Sequence, residues 1–250
     1  HEIKNPLTPI QLSAERLERK YKNLITKDPE VFENCTETIL RQVNNLGRMV
    51  DEFSAFARMP APVLESIHID TLLRDTLLAQ RVAFPDIKLA VQNNTEADTE
   101  VLCDQRLIGQ ALTNLLKNAS ESILRRLDET GNQEPPGRIE ITISAIGDMV
   151  CLDIIDNGTG WPVSDKDRLL EPYMTTRDEG TGLGLAIVKR IAEDHGGTLD
   201  LLSLNHSEIG AHVAFSLPLS SADKMPEIPP VHSVMPLEDA KSRKEVDDAL

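Results

Sequence analysis

The sequence predicts an α+β protein made of a helical hairpin and a larger domain in which helices cover one face of a mostly antiparallel sheet. In the N-terminal segment, apolar residues recur at alternating spacings of three and four, which is the pattern of a coiled-coil seam. In the rest of the chain, short strand patterns alternate with strongly apolar helices. A chain of 250 residues, 40% of them hydrophobic, is long enough to bury such a core.

Two helices form the predicted hairpin. The seam positions of the first helix are Ile3, Leu7, Ile10, Ala14, Leu17, Tyr21 and Leu24. A turn over 26–30 follows, with Asp28 as N-cap and Pro29 at the first position of the second helix. The seam positions of the second helix are Ile39, Val43, Leu46, Val50 and Phe53. A lone hairpin cannot cover this stripe, so we expect a homodimer in which two copies form a four-helix bundle; the alternative is packing on the larger domain of the same chain.

We place the hairpin at 1–58, a linker at 59–66, the larger domain at 67–219 and a mostly disordered tail at 220–250. The larger domain is predicted to contain, in order, a helix over 69–83, a strand over 87–92, a helix capped by Asp104, strands over 139–143 and 150–155, a mobile loop over 161–179, an apolar helix opened by the glycines at 180–184, and closing strands over 198–204 and 212–217. The chain begins with His, and its first helix starts in mid-pattern. We therefore expect a piece of a longer protein, truncated at the start of the hairpin.

Composition limits the possible functions. The formal net charge of −15 argues against general nucleic-acid binding, because no broad basic surface would attract a phosphate backbone. Cys35, Cys103 and Cys151 match neither a metal site nor a disulfide framework, which fits a reducing cytoplasm. No apolar run approaches the roughly 18 residues that span a bilayer. We expect a cytoplasmic portion without direct membrane contact.

The first residues, His1-Glu2-Ile3-Lys4-Asn5-Pro6, combine an imidazole with a carboxylate and an amide. A neutral imidazole nitrogen is a nucleophile that can carry a phosphoryl group, and Glu2 could take the proton from the other ring nitrogen. In a helix, Asn5 lies one turn after His1 on the same face, where its amide could orient a water. The alternative is a chance dipeptide at a frayed helix end.

Asn114 and Asn118 lie one turn apart on the helix that Asp104 caps, opposite its apolar face. Asparagine is unfavourable inside a helix, so two of them at this spacing indicate either a solvated polar face or a pair of amides facing a ligand. An amide oxygen is a suitable ligand for a hard cation such as Mg²⁺.

Two glycine-rich segments complete the pattern. Asp156-Asn157-Gly158-Thr159-Gly160 follows a strand, so it is either a simple turn or a site where the backbone approaches a flat ligand and the acid accepts a hydrogen bond from it. Gly180-Thr181-Gly182-Leu183-Gly184 opens an apolar helix, where free amides and the helix dipole favour a phosphate. The strand that precedes such a loop in a dinucleotide-binding βαβ unit is replaced here by a charged segment, so that context is missing.

These four motifs stand in the order in which they occur in the catalytic core of two-component sensor histidine kinases, which residues 1–218 resemble. The segments 1–21 and 171–197 are most similar to nitrogen-regulation sensor kinases of the NtrY-like type. The resemblance implies a dimerisation and phosphotransfer hairpin, followed by an α/β-sandwich ATP-binding domain of the kind found in gyrase and heat-shock chaperone ATPases. It also implies ATP and Mg²⁺ as cofactors, a response regulator as partner, phosphatase activity towards that regulator, and a parent protein anchored in the bacterial inner membrane.

The resemblance further implies residue roles. His1 would accept the phosphoryl group, Glu2 would act as base, and Asn5 would assist water in dephosphorylating the regulator. Asn118 would coordinate Mg²⁺ and Asp156 would bind the adenine amino group. The other expected nucleotide-binding residues are Asn114, Lys117, Gly158, Gly160, Tyr173, Thr176, Arg177, Gly180, Thr181, Gly182, Leu183 and Gly184. Tyr173 replaces a more usual phenylalanine and Arg177 a frequent lysine.

Two other functions are compatible with the same residues. One is an ATP-dependent clamp of the gyrase or chaperone kind, against which the helical hairpin argues. The other is a dimeric scaffold that acts only as a phosphatase, which the intact nucleotide motifs disfavour.

Overall fold

The computed structural model describes residues 4–131, 135–161, 166–174, 180–204 and 209–220. The helices are α1 Lys4–Tyr21, α2 Pro29–Ala57, α3 Ile69–Ala83, α4 Gln105–Thr130 and α5 Gly184–Asp194, with a 3₁₀ helix at Asp167–Leu170. The strands are β1 Glu65–His68, β2 Lys88–Asn93, β3 Glu100–Cys103, β4 Arg138–Ile146, β5 Met149–Asp156, β6 Thr198–Leu202 and β7 Ala211–Pro218. Within the described ranges, no helix is both long and apolar enough to cross a membrane.

The larger domain is a five-stranded sheet of order β2-β4-β5-β7-β6. All neighbours are antiparallel except β2 and β4, which are parallel because β3 and α4 lie between them in the chain. Strands β4, β5 and β7 alternate buried and more exposed residues, as one covered sheet face requires. Buried residues of α3, α4 and α5 share one hydrophobic core with those strands. The predicted fold class is confirmed.

Two features of the domain were not predicted. Strands β1 and β3 form a separate antiparallel pair, with Glu65 opposite Cys103 and His68 opposite Glu100. Most of β1 is exposed, and the apolar residues of β3 are consecutive in the sequence, so neither segment shows the apolar–polar alternation that predicts a strand. The predicted loop over 161–179 contains the 3₁₀ helix, which Leu169 and Leu170 hold against the core side of the domain. The strand expected over 198–204 ends at Leu202.

The hairpin helices α1 and α2 pack against each other. Ala14 and Val43 are buried between them, but most of the large seam residues stay exposed in the single chain. These exposed seam residues are Ile10, Leu17, Tyr21, Leu24, Ile39, Leu46 and Phe53. Near the end of the hairpin, Phe56 and Met59 pack against the core of the larger domain. The seam is therefore an uncovered apolar stripe, while the last turn of α2 is attached to the larger domain.

Helix α2 starts where the sequence predicts, with Asp28 before it and Pro29 at its first turn. The predicted capping bond is nevertheless wrong. Asp28 adopts a left-handed backbone with φ of 52° and its side chain makes no capping hydrogen bond. A capping side chain reaches the free amides of a helix from an extended backbone conformation, which Asp28 does not adopt.

Asp104, in contrast, caps α4 as predicted. Its Oδ1 accepts hydrogen bonds from the amides of Arg106 at 3.0 Å and Leu107 at 3.1 Å. Its Oδ2 accepts one from the amide of Val63 at 3.2 Å, which ties the predicted linker to the larger domain. Burial by itself raises the pKa of Asp104, but these amides and the Arg106 guanidinium outweigh it and lower the pKa below its usual value.

The same capping segment contacts the buried His195 at the end of α5. The amide of Asp104 donates to Nε2 of His195 at 3.0 Å, so Nδ1 carries the proton and donates to the carbonyl of Ile191 at 2.7 Å. Burial lowers the pKa of His195, which keeps the ring neutral. His195 is a structural residue that joins α5 to the start of α4.

We expect the Asp104→Asn substitution to lower the free energy of unfolding at pH 7 by about 1 kcal/mol, because the amides around Val63 and Leu107 lose a charged acceptor. The pKa of Asp104 is depressed in the folded state. Its contribution is therefore present above about pH 4 and is lost as pH falls through the folded pKa. Urea unfolding should show the full difference from wild type at pH 7 and a smaller one near about pH 3. An equal difference at both pH values would contradict this assignment.

Candidate functional site

A cavity of about 630 Å³ lies between α4, the end of β5, the glycine loop before α5 and the second half of α2. It brings together most of the predicted site residues that the structure describes. Those that line it are Asn114, Lys117, Asn118, Asp156, Gly160, Gly180, Thr181, Gly182 and Gly184. Motifs that are far apart in the sequence therefore form one pocket.

Helix α4 supplies one wall. Its apolar side is buried from Leu107 to Ile123, and this fixes the rotation of the helix so that Asn114 and Asn118 face the cavity half-buried. Lys117 lies on the same side, with its ammonium 3.8 Å from the carboxylate of Glu121. Both amides line the pocket, which favours the interpretation that they face a ligand over the interpretation that they form a purely solvated face.

Asp156, at the end of β5, lines the pocket and is only 6% exposed. Its Oδ1 accepts a hydrogen bond from the amide of Gly158 at 2.8 Å. The amide of Thr159 donates to Oγ of Ser122 at 3.1 Å, so the turn is fixed onto α4. Gly158 itself is buried and does not line the cavity, but it allows this contact: a Cβ there would come within 2.6 Å of the carbonyl carbon of Ser122.

The glycine loop is held by the segment before it. Gly182 has a φ of 68°, and a Cβ there would come within 2.6 Å of the carbonyl carbon of Tyr173. The amide of Tyr173 donates to the carbonyl of Gly182 at 3.0 Å. Leu183 is fully buried in the core, so it anchors the loop and does not line the pocket. Helix α5 begins at Gly184, and its free amides and dipole favour an anion at this edge of the cavity.

Several predicted residues lie away from this pocket or outside the described residues. Tyr173 is 53% exposed and its ring lies near Phe53 of α2, with centroids 6.1 Å apart. Asn5 is exposed on the first turn of α1. His1, Glu2, Thr176 and Arg177 are outside the described residues, so their predicted roles stay predictions.

Sequence reasoning missed several lining residues. These are Arg48, Glu52 and Ala55 of α2, Gln110 and Arg125 of α4, and Trp161, Leu169 and Met174. It also missed Gly210, whose φ is 129° and where a Cβ would come within 2.8 Å of the carbonyl carbon of Asp156. The α4 residues could have been found by extending the polar stripe of Asn114 and Asn118 by further turns. The α2 residues carry no such signal.

The side chains that line the pocket also indicate how a metal ion could be held there. The described residues contain no cluster of three His, Cys, Asp or Glu side chains that could hold a metal ion. Asn118 offers an amide oxygen, a ligand that Mg²⁺ accepts, and Mg²⁺ in nucleotide sites takes most of its remaining ligands from phosphates and water.

Comparisons with known proteins agree with this geometry. A family model described as the His Kinase A (phospho-acceptor) domain matches residues 1–62. A model described as the histidine kinase-, DNA gyrase B- and HSP90-like ATPase matches residues 103–221. Over 201 residues the chain is 51% identical to the nitrogen regulation protein NtrY of Azorhizobium caulinodans. The aligned segment covers 80% of this chain and 25% of that protein.

One further relative and one solved structure agree. An NtrY-like sensor histidine kinase of Rickettsia felis is 40% identical over 223 residues, 89% of this chain and 35% of that protein. The chain thus spans about a quarter to a third of these curated relatives. The crystal structure of full-length ShkA in complex with AMPPNP superposes with a TM-score of 0.61 at 26% identity, over 89% of this chain and 45% of that one.

A phospho-acceptor hairpin followed by an ATPase domain of this type defines the histidine kinase class of proteins. The chain belongs to the family of NtrY-type sensor histidine kinases. The resemblance deduced from the four motifs is confirmed.

Proposed function

We propose that the chain is the catalytic core of a sensor histidine kinase that phosphorylates His1 from ATP and then passes the phosphoryl group to an aspartate of a response regulator. The observation that carries the proposal is the single pocket in which Asn114, Asn118, Asp156 and the glycine loop meet. The similarity to ShkA, a protein solved with AMPPNP, supports a nucleoside triphosphate as the occupant.

The first step joins a nitrogen of His1 to the γ-phosphorus of ATP. The bond from that phosphorus to the β–γ bridging oxygen breaks, ADP leaves, and Glu2 takes the proton from the other ring nitrogen. In the second step an aspartate oxygen of the regulator attacks the same phosphorus, the phosphorus–nitrogen bond breaks, and the imidazole of His1 leaves and takes back the proton that Glu2 had accepted. Positioning and charge neutralisation should dominate the rate.

Each wall of the pocket would serve one part of the nucleotide. Asp156 would accept a hydrogen bond from the adenine amino group, which its burial in the lining of the pocket supports. The amides of the glycine loop and the start of α5 would face the phosphates, with Asn114 and Lys117 beside them. Asn118 would hold Mg²⁺, which neutralises charge on the phosphate oxygens. Arg177 and Thr176 would add contacts near the γ-phosphate.

The hairpin would provide the dimer contact and the docking surface for the response regulator. The exposed seam of α1 and α2 supports a homodimer, because pairing with a second copy would bury it in a four-helix bundle. A response regulator would dock on the exposed face of α1 over about 11–22. Asn5, exposed on the first turn of α1, would orient water for dephosphorylation of that regulator.

The names of the relatives suggest the setting. One is a nitrogen regulation protein, and we propose that this chain acts in nitrogen regulation as well. We further propose that it is the cytoplasmic portion of a protein anchored in the bacterial inner membrane. The domain boundaries 1–58, 59–66 and 67–219 belong to the same proposal, with the last residues of the linker attached to the larger domain through Val63 and β1.

Incubation with γ-labelled ATP and Mg²⁺ tests the proposal. We expect label that is stable to base and lost in acid, as a phosphorus–nitrogen bond requires, and we expect the His1→Gln variant to take up none. ATP hydrolysis without label on the wild-type protein would instead indicate a nucleotide-driven clamp. Label that persists in the His1→Gln variant would assign the acceptor to another residue.

A further inference from the structure

Helix α2 forms a wall of the pocket that the motifs did not predict. Arg48, Glu52 and Ala55 lie at spacings of four and three, so they share one face of the helix, and all three line the cavity. Leu46, Val50 and Phe53 belong to the seam instead. Helix α2 therefore carries two functional faces, one towards the predicted bundle and one towards the nucleotide pocket.

Glu52 makes the direct contact between this face and the glycine loop. Its Oε2 accepts a hydrogen bond from the hydroxyl of Thr181. The same hydroxyl oxygen lies 3.4 Å from the amide of Leu183, the residue before α5, and accepts from it. The ring of Phe53, the next residue of α2, lies beside Tyr173, whose amide holds Gly182. Two adjacent α2 residues thus contact both sides of the loop.

The negative charge of Glu52 would oppose the binding of phosphates at this contact. The loop and the start of α5 form the part of the pocket that favours an anion, and the carboxylate of Glu52 is bound there through Thr181. The phosphates of a nucleotide would carry several negative charges into the same space. Like charges a few ångströms apart repel, and one hydroxyl proton cannot be donated to both acceptors.

We propose that Glu52 is a positioning residue that competes with the distal phosphates of the nucleotide for Thr181, so that binding of ATP detaches α2 from the glycine loop. The inference rests on the proposed function, because it takes ATP as the occupant. Arg48 lies one turn before Glu52 on the same face, and its described partner is the uncharged Asn45, with Nη2 2.5 Å from Oδ1. Arg48 is therefore available to approach the phosphates once Glu52 has left.

The test compares Glu52→Gln with wild type. Glutamine keeps an acceptor for Thr181 and removes only the charge. We expect the variant to bind ATP about three- to ten-fold more tightly at low salt and the difference to shrink at high salt, because the repulsion is electrostatic. The affinity for adenosine should not change, since adenosine carries no phosphate. Trp161 lines the pocket and is the only tryptophan, so its fluorescence reports both affinities.

Glu37→Gln is the matched control, since Glu37 is exposed on α2 and does not line the cavity. It removes the same charge from the same helix and should leave both affinities as in wild type. Two outcomes would overturn the inference alone. One is an equal gain in affinity for ATP and adenosine in Glu52→Gln. The other is an unchanged affinity for ATP in a Glu52→Gln variant that still binds adenosine. Failure of the wild-type protein to bind ATP would overturn the proposed function and the inference with it.

Discussion

The Asn118→Ala variant should lose autophosphorylation by about a hundred- to a thousand-fold or more while remaining folded. The amide of Asn118 lines the pocket half-buried, and its proposed role is to hold the magnesium ion that offsets phosphate charge. Alanine is the best helix former and leaves the apolar face of α4 untouched, so thermal unfolding should change little. The initial rate of acid-labile labelling measures the loss.

Thr113→Ala is the control for that experiment. Thr113 is exposed on the same helix, its hydroxyl bonds only locally to the carbonyl of Gly109 at 2.8 Å, and it does not line the cavity. We expect the Thr113→Ala variant to incorporate acid-labile label at the wild-type rate. A labelling rate of Asn118→Ala within a few-fold of that control would remove Asn118 from the metal-binding role.

A second large effect is expected for Gly158→Ala. The new Cβ would lie 2.6 Å from the carbonyl carbon and 2.7 Å from the Cβ of Ser122, so the turn after β5 must move away from α4. Overpacking of this kind costs about 1–3 kcal/mol of stability. Because Asp156 lies on the same turn, we also expect ATP affinity to fall by about a hundred-fold, the equivalent of roughly 2.7 kcal/mol. Trp161 fluorescence and urea unfolding measure the two effects.

Gly109→Ala provides the matched comparison. Gly109 lies on α4, its backbone is helical, and a Cβ added there would meet no atom within 4 Å. Alanine there should raise the free energy of unfolding by up to about 1 kcal/mol and leave ATP binding unchanged. If Gly158→Ala behaved like Gly109→Ala, the close packing of the turn against Ser122 would not matter for the pocket.

Much of the fold could be predicted because local periodicity and packing agree. In α4, the buried positions from Leu107 to Ile123 follow the helical period that the sequence shows, and this alone turns Asn114 and Asn118 to the same side. In β4 and β5, alternate apolar residues mark the covered face. The sequence predicted that Gly158 would let the backbone approach a ligand and that Gly182 would belong to a phosphate loop. The close neighbours that leave no room for a Cβ at these glycines are instead Ser122 and Tyr173 of the same chain, which no local pattern shows.

Other features depend on residues that are distant in the sequence. The parallel pairing of β2 with β4 and the short pair of β1 with β3 depend on register between segments, which no local pattern encodes. Gly210 looks like an ordinary loop glycine until Asp156 is brought against it. The sequence also does not reveal the pocket face of α2, because Arg48 and Glu52 are residue types that are common on any exposed helix.

The sequence by itself determined the two-part organisation, because the helical seam and the strand pattern follow from residue types at fixed spacings. The family followed from the resemblance of the four motifs to sensor histidine kinases. The tertiary structure alone decided that Asn118, Asp156 and the glycine loop share one cavity and that Glu52 of the hairpin contacts Thr181 at its edge. The physical reason is that periodicity fixes which way a side chain points from its own helix or strand. Only the packing of the helices on the sheet, and of α2 beside them, fixes what that side chain meets.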